Sequence, residues 1–326
     1  MVTLDDIKKA QERIKGVAVR TPLIACPHGD PERQLYFKPE SLQPIGAFKI
    51  RGAYNKIAAL PDAERRRGVI TYSSGNHAQG VAYAARAVGI KAVVVMPANT
   101  PKTKIEATKA LGAEVVFVGP ASSERQAKAE ELAARHGYAI IPPYNDEHII
   151  AGQGTAGLEI LEDLPDVECV LSPVSGGGLL SGIATAIKLS RPEVKVIGCE
   201  PELSADAQES LRSGRLVTWA AEKTTRTICD GLRTQSLGEL NFEYVRRSVD
   251  DIVTVSEDEI REAMRRLALN AHLVAEPSGA VTFAAFLFRE NELPKVRRTV
   301  AVISGGNVEA DMLADILKGT AVPVHG

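Results

Sequence analysis

Lys49 is the residue of this chain whose neighbours most strongly suggest chemistry. It stands between Phe48 and Ile50, where a helix is predicted to begin after a turn at Pro44 and Gly46. Burial among apolar side chains lowers the pKa of a lysine and leaves its amine neutral and nucleophilic. Such an amine suits imine formation with an aldehyde cofactor. The alternative is an ordinary lysine on the solvated face of an amphipathic helix, and the residues around Lys49 leave both interpretations open.

A cluster of small and polar residues follows a predicted strand at residues 69–72 and precedes a predicted helix. It consists of Ser73, Ser74, Gly75, Asn76 and His77. Two hydroxyls, an amide, an imidazole and the free backbone N–H groups of a helix start are suited to binding a carboxylate. A plain helix N-cap is the alternative.

A glycine-rich loop follows another predicted strand, at residues 169–173, and opens a helix. Its residues are Ser175, Gly176, Gly177, Gly178 and Leu179. Consecutive glycines allow backbone N–H groups to close around a phosphate, and the helix dipole adds attraction. No Gly-Lys-Ser/Thr follows as in a Walker loop, and Ser181 takes the third glycine position of a dinucleotide fingerprint. We therefore prefer a phosphate site to a dinucleotide site or an unliganded turn.

A third loop, made of Ser304, Gly305, Gly306 and Asn307, also follows a predicted strand and precedes a predicted helix. It is either a second anion site or a simple turn. The hydroxyl of Ser304 at the strand end is suited to meeting a ring nitrogen in a cleft.

Glu200, Ser204 and Asp206 follow a predicted strand at residues 194–199. Two carboxylates, a carbonyl and water molecules would hold Mg²⁺ or Ca²⁺. Solvated acids at the start of a helix are the alternative, and the spacing alone favours them.

Strand-like and helix-like segments alternate between these loops. The predicted strands are residues 35–38, 69–72, 92–96, 114–118, 138–141, 169–173, 194–199, 251–255 and 299–303. The alternation predicts an α/β fold with parallel twisted sheets and flanking helices, divided into two lobes. Ligands of such folds bind at the carboxyl ends of the strands, so we expect the loops to face a cleft between the lobes.

The composition is typical of a globular protein with a small-molecule ligand. The chain has 326 residues, of which 44% are hydrophobic and 25% are charged, and its formal net charge is -2. This charge argues against nucleic acid or an anionic membrane as the main partner. No apolar run has the length of a membrane span, and the polar N-terminus does not resemble a signal peptide. Four scattered cysteines without metal-ligand spacing predict a cytoplasmic protein with reduced thiols.

Together the loops resemble those of one family, the fold-type II pyridoxal-phosphate enzymes of the serine/threonine dehydratase and serine racemase group. The matching motifs lie in family order at residues 45–52, 73–77, 151–155, 173–179 and 304–307. The resemblance covers nearly the whole chain and implies the two-domain fold of tryptophan synthase β-like enzymes. It implies a large cofactor-binding domain at residues 1–48 and 146–326 and a small domain at residues 49–145.

The resemblance also implies pyridoxal 5′-phosphate (PLP) as the cofactor and assigns residues to it. Lys49 would hold PLP covalently, with Phe48 packed on one face of the ring. Asn76 would bond to the ring hydroxyl, and Ser304 would meet the pyridine nitrogen. The phosphate would be bound by Gly176, Gly177, Gly178 and Leu179, with Ser175 in place of a usual glycine.

The implied reaction is dehydration and deamination of L-threonine or L-serine to a 2-oxo acid and ammonia, with Lys49 moving the α-proton. A neutral serine at the ring nitrogen leaves a weaker electron sink, which favours β-elimination. The substrate carboxylate would be bound by Ser73, Asn76 and His77. Ser74 matches the acid/base serine of serine racemases, which leaves racemisation open as a companion activity.

Other features of the resemblance leave the substrate open. The divalent-cation site of the racemase branch is matched by Glu200, Ser204 and Asp206, which strengthens the expectation of Mg²⁺, Ca²⁺ or Mn²⁺. In contrast, residues 142–144 (Pro-Pro-Tyr) resemble the threonine dehydratases. Alternatives are dehydration of 3-hydroxyaspartate or phenylserine, and β-replacement of the cysteine synthase type. A non-catalytic binder or dinucleotide-binding protein is a hypothesis from another class. The resemblance implies a homo-oligomer, a dimer or a tetramer.

Overall fold

The computed structural model describes residues 1–27, 30–119 and 122–319. Strands and helices are numbered separately below, each in chain order. Every predicted strand is present, with ends that lie within two residues of the predicted ones.

The larger sheet has six strands in the order β1-β2-β10-β7-β8-β9. They are β1 (Ile24–Ala25), β2 (Gln34–Pro39), β7 (Cys169–Pro173), β8 (Lys195–Pro201), β9 (Asp251–Val255) and β10 (Arg298–Ile303). All neighbours are parallel except β1, which pairs antiparallel with β2. The predicted strands of this sheet are parallel, as expected, and the antiparallel strand β1 is one that was not predicted. The connection from β1 to β2 is shorter than the dozen or so residues that a parallel crossover needs.

The smaller sheet has four parallel strands in the order β5-β4-β3-β6. They are β3 (Val69–Tyr72), β4 (Ala92–Pro97), β5 (Glu114–Val118) and β6 (Ala139–Ile140). The two sheets correspond to the two expected lobes, and the predicted residue boundaries between the lobes stay a prediction.

Helices flank both sheets. They are α1 (Leu4–Ile14), α2 (Lys49–Ala59), α3 (Asp62–Arg65), α4 (Asn76–Ala87), α5 (Lys102–Ala110), α6 (Ser122–His136), α7 (Glu147–Asp163), α8 (Gly178–Ser190), α9 (Asp206–Ser213), α10 (Ala221–Thr224), α11 (Glu239–Ser248), α12 (Glu257–Asn270), α13 (Pro277–Phe288) and α14 (Ala310–Lys318). Capping boxes begin α1, at Thr3 and Asp6, and α12, at Ser256 and Glu259. Each satisfies two backbone N–H groups that would otherwise lack a partner. None of the described helices has both the length and the apolar composition needed to cross a bilayer.

The core consists of apolar layers on both faces of each sheet. On the larger sheet, α12 and α13 cover one face and α8 covers the other. On the smaller sheet, α4 covers one face and α6 the other. Helix α2 packs against both α4 and α7 and so links the two halves of the molecule. Because Lys49 is the first residue of α2, it lies where these halves meet.

Candidate active site

The predicted loops all begin at carboxyl ends of parallel strands, as the sequence predicted. The loop containing Ser73 follows β3, the loop containing Ser175 follows β7, and Ser304 follows β10. Asn76 and Asn307 join the first and third of these loops, and the Pro143–Tyr144 segment lies between Lys49 and the glycine loop.

Lys49 is held at the start of α2 by its neighbours rather than by its own side chain. The backbone N–H of Phe48 donates to the carbonyl of Ser304 at 3.0 Å, which joins the lysine segment to the end of β10. The Lys49 amine donates to the carbonyl of Pro143 at 2.8 Å. Burial lowers the pKa of this amine from 10.5 to about 8. A neutral amine is therefore populated near physiological pH, as nucleophilic or base chemistry requires.

The loop from Ser73 to His77 leads into the first turn of α4. The N–H groups of this turn have no partner within the helix and are available to an anion. The imidazole of His77 is buried and bonds through Nε2 to the carbonyl of Ile141 at 3.0 Å. Burial, and secondarily the charge of Lys49, lower the pKa of His77 to about 3, so the ring is neutral. An anion at this loop would therefore meet backbone N–H groups and the serine hydroxyls, not a charged imidazole.

Asn76 is oriented by partners from the other half of the molecule. Its Nδ2 donates to Glu276 at 2.7 Å, and its Oδ1 accepts from Asn307 at 2.8 Å. These contacts fix which end of the amide is the donor and leave one N–H of Nδ2 free. Burial, with the charge of Asp230 second, raises the pKa of Glu276 to about 8, so this carboxyl is mostly protonated at neutral pH.

The glycine loop forms a narrow cradle at the start of α8. Gly177 is the N-cap of that helix, and its φ of 95° lies in the left-handed region that favours glycine. A Cβ on Gly176 would lie 2.4 Å from the ring of Tyr144, and a Cβ on Gly178 would lie 3.0 Å from the Tyr144 Cβ. The hydroxyl of Ser175 bonds to that of Thr234 at 2.7 Å. The loop thus admits no side chain and presents backbone N–H groups, which suits a phosphate.

Ser304 lies in the same cleft and is buried, with 4% of its surface exposed. Its hydroxyl donates to the carbonyl of Ser278 over a long 3.4 Å, which leaves it free to form a better bond. The prediction that this loop opens a helix is wrong, because α14 begins only at Ala310. Asn307 instead bridges to Ile45 and Asn76, so the loop joins the two halves of the site.

The three predicted cation ligands lie where β8 turns into α9, at the carboxyl end of the strand next to β7. Glu200, Ser204 and Asp206 are each at most 2% exposed. Within the described residues, one side-chain oxygen of each has no hydrogen-bond partner. Burial, reinforced by Asp206, raises the pKa of Glu200 well above its ordinary value, and burial raises that of Asp206 to about 7. Among the described residues, no group of three or more His, Cys, Asp or Glu side chains is arranged to hold a metal ion. The predicted site has two such side chains, Glu200 and Asp206, and a serine.

A family model described as "Pyridoxal-phosphate dependent enzyme" matches residues 14–305. The chain belongs to the pyridoxal-phosphate-dependent enzymes. This confirms the family predicted from the loops and excludes a non-catalytic or dinucleotide-binding protein.

Members of the family that resemble the chain act on different amino acids. An L-threonine ammonia-lyase of Thermotoga maritima is 47% identical over 322 residues, which are 97% of this chain and 78% of the relative. An L-threo-3-hydroxyaspartate ammonia-lyase of Saccharomyces cerevisiae is 41% identical over 320 residues, 97% of each protein. The structure of maize serine racemase has a TM-score of 0.92 and 37% identity, and covers 96% of both chains. The fold and the PLP chemistry are shared, while the substrate differs between relatives.

The site of this family member fits PLP on its own geometry. The cradle that a Cβ would fill suits the phosphate, and Lys49 supplies an amine of lowered pKa. Two features near Lys49 were not predicted from the sequence, Glu276 and a buried cluster of charges around Arg51. The available signal was a charge inside an apolar run, as in Leu-Tyr-Phe-Lys-Pro at residues 35–39 and Gly-Leu-Glu-Ile-Leu at residues 157–161.

Proposed function

We propose that this enzyme dehydrates and deaminates L-threonine, L-serine or both, to a 2-oxo acid and ammonia. The observation that carries the proposal is the juxtaposition of Lys49 with Ser304 and the glycine loop. The Phe48–Ser304 hydrogen bond brings the lysine to the end of β10, and the Pro143–Tyr144 segment lies between the Lys49 amine and Gly176.

When bound, PLP supplies an electron sink that lets the α-proton of an amino acid leave. The N–H groups of the glycine loop and of the first turn of α8 would hold its phosphate. The free N–H of Asn76 would meet the ring hydroxyl, and Phe48 would pack on the ring. The N–H groups at the start of α4, with Ser73, would hold the substrate carboxylate.

Lys49 would take the α-proton at Nζ, because an amine with a pKa of about 8 is an effective base near neutral pH. The β-hydroxyl would take up one proton as it leaves as water, which balances the α-proton that Lys49 takes, so the substrate loses one H₂O in all. Hydrolysis of the resulting unsaturated amine gives the 2-oxo acid and ammonia. The group facing the ring nitrogen would be the neutral hydroxyl of Ser304. Glu276, the buried carboxyl near it, is held largely protonated by its raised pKa. Because neither group carries a negative charge, neither would strengthen the ring as an electron sink, which favours elimination.

A racemase companion activity is supported by Ser74. Its hydroxyl forms no hydrogen bond to any described residue, so it is free to exchange a proton with a substrate. We expect Ser74→Ala to suppress any racemisation of serine while leaving elimination from the L-enantiomer largely intact. Equal loss of both activities would contradict this assignment.

We further propose that Glu200, Ser204 and Asp206 help to hold Mg²⁺, Ca²⁺ or Mn²⁺. Their unpartnered buried oxygens support this, because buried carboxylates are normally paired or coordinate a metal. Hard cations prefer oxygen ligands, with backbone carbonyls and water completing the shell.

The decisive test is a substrate panel without an added nucleophile. The holoenzyme would be incubated with L-threonine, L-serine, D-serine, 3-hydroxyaspartate and phenylserine, and 2-oxo acid and inversion would be measured. We expect 2-oxo acid from L-threonine or L-serine. Turnover of these only when a thiol nucleophile is present would favour β-replacement instead.

A further inference from the structure

Four charged residues, none more than 3% exposed, form a closed network beside the start of α2. They are Lys38, Glu40, Arg51 and Glu159. The guanidinium of Arg51 donates to Glu40 at 2.7 and 2.8 Å and to Glu159 at 2.7 and 2.8 Å. The ammonium of Lys38 donates to Glu159 at 2.6 Å and to the carbonyl of Thr21 at 2.6 Å. Two positive and two negative charges balance, and none of their polar atoms lacks a partner among the described residues.

Stability alone does not account for this network. Burial opposes the charge on Arg51, although Glu40 and Glu159 outweigh it and raise the pKa of the guanidinium further. Replacing buried ion pairs by apolar residues of similar volume is often neutral or stabilising. The two bidentate contacts of Arg51, called forks below, supply geometry instead, because each fixes both the position and the plane of the guanidinium.

The network fixes α2 relative to the larger sheet. Glu40 follows the end of β2, and Glu159 lies on α7. Helices α2 and α7 touch at glycines: a Cβ on Gly152 would lie 2.6 Å from the Cα of Gly52. Arg51 therefore lies at the closest crossing of the two helices, where a small rotation of α2 would break the forks.

Arg51 and Lys49 point to different sides of α2, since two residues correspond to about 200° of helix rotation. Among the described residues, the Lys49 amine has one hydrogen-bond acceptor, the carbonyl of Pro143. A long side chain with one hydrogen bond does not fix the rotation of its helix about the helix axis. That rotation must be fixed from elsewhere on α2.

We infer that Arg51 is a positioning residue for Lys49: its forks to Glu40 and Glu159 hold the first turn of α2 in the rotation that directs the lysine amine into the cleft. Arg51 contacts neither cofactor nor substrate in this arrangement. The inference rests on the proposed role of Lys49 as the residue that PLP modifies.

Two variants of the full-length protein test the inference. Arg51→Lys keeps the charge and loses the forks. The double variant Arg51→Met/Glu159→Gln removes one charge of each sign and leaves Lys38 balanced by Glu40. The matched control is Arg20→Lys, because Arg20 also bridges two carboxylates of α7, Glu162 and Asp163, but at the exposed surface.

The readouts are the rate of covalent PLP attachment to the apo protein, kcat, KM and the melting temperature. Misplacement of a reacting group by about 1 Å costs about 100-fold. We expect attachment and kcat to fall about 10-fold to 100-fold in both variants, with KM within about twofold of wild type. The double variant should melt near the wild-type temperature. The control should match wild type in every readout.

Wild-type attachment rates in both variants would overturn the inference. Losses of attachment rate and kcat that only follow the unfolded fraction, and that disappear on cooling, would also overturn it. Failure of both variants to fold would do the same, because either result would show that the network serves only the stability of the fold. Borohydride reduction and peptide mapping of the wild type separate the two levels of the proposal. Attachment at a lysine other than Lys49 would contradict the proposed function itself, whereas attachment at Lys49 with unaffected variants would contradict only the role of Arg51.

Discussion

The rate at which the apo protein takes up PLP should depend on pH in a way set by Lys49. Only a neutral amine attacks an aldehyde. An ordinary lysine has a pKa of 10.5, and burial lowers that of Lys49 to about 8. At pH 7 the neutral fraction of Lys49 is therefore about 300-fold larger than that of an ordinary lysine.

The assay mixes apo protein with excess PLP from about pH 6 to about pH 10 and follows the visible absorbance of the attached cofactor. A small model amine with an ordinary pKa is measured in parallel. Dividing the protein's rate by the rate of the model amine removes the effect of the titration of PLP itself. The rate relative to the model amine should be high at low pH and fall as pH rises from about 8 towards 10.5, where the model amine becomes neutral as well. A ratio that does not change with pH would refute a lowered pKa at Lys49. Lys49→Ala, which should show no attachment, is the control.

Three further predictions concern the rest of the site. Gly176→Ala places a Cβ 2.4 Å from the ring of Tyr144, so it should weaken PLP affinity and destabilise the protein by about 1–3 kcal/mol. The control for stability is Gly75→Ala, whose Cβ would meet nothing within 4 Å. Equal melting temperatures for the two variants would contradict the tight packing of the glycine loop. Mg²⁺, Ca²⁺ or Mn²⁺ at about 100 times its Kd should stabilise the wild type by about 2.7 kcal/mol in a melting experiment and should have no such effect on Asp206→Asn; a wild type that does not respond to any of the three would argue against the cation. Glu276→Gln should raise the unfolding free energy of the apo protein, and this gain should grow as pH rises from about 4.5 to about 8. The reason is that in this pH range the wild-type carboxyl is protonated in the folded protein and ionises only on unfolding. A gain independent of pH would show that Glu276 ionises normally.

The sequence was sufficient to predict every described strand except the two-residue β1, and the loops that follow the strands. The apolar run of β4 (Ala92–Pro97) and the glycine-rich turn after β7 are local signals, and the parallel order places the carboxyl ends of the strands together. The helix start at Lys49 was predicted from the Pro44–Gly46 turn, and Gly46 does adopt a positive φ of 71°.

The partners of the site residues could not be predicted in the same way. Arg51 and Glu276 bond to residues about 100 to 200 positions away along the chain, Glu159 and Asn76. The imidazole of His77 was expected to help bind a carboxylate, and only the fold shows that it bonds to Ile141. Such contacts arise from tertiary packing, which hydrophobic periodicity does not encode.

Release of 2-oxobutyrate from L-threonine is the decisive measurement for PLP-dependent dehydration through Lys49. PLP-loaded wild type and Lys49→Ala would be compared at equal concentration, with no nucleophile added. We expect the wild type to release 2-oxobutyrate and ammonia steadily and in equal amounts, and the variant to release neither. Release by Lys49→Ala at the wild-type rate would contradict this role of Lys49.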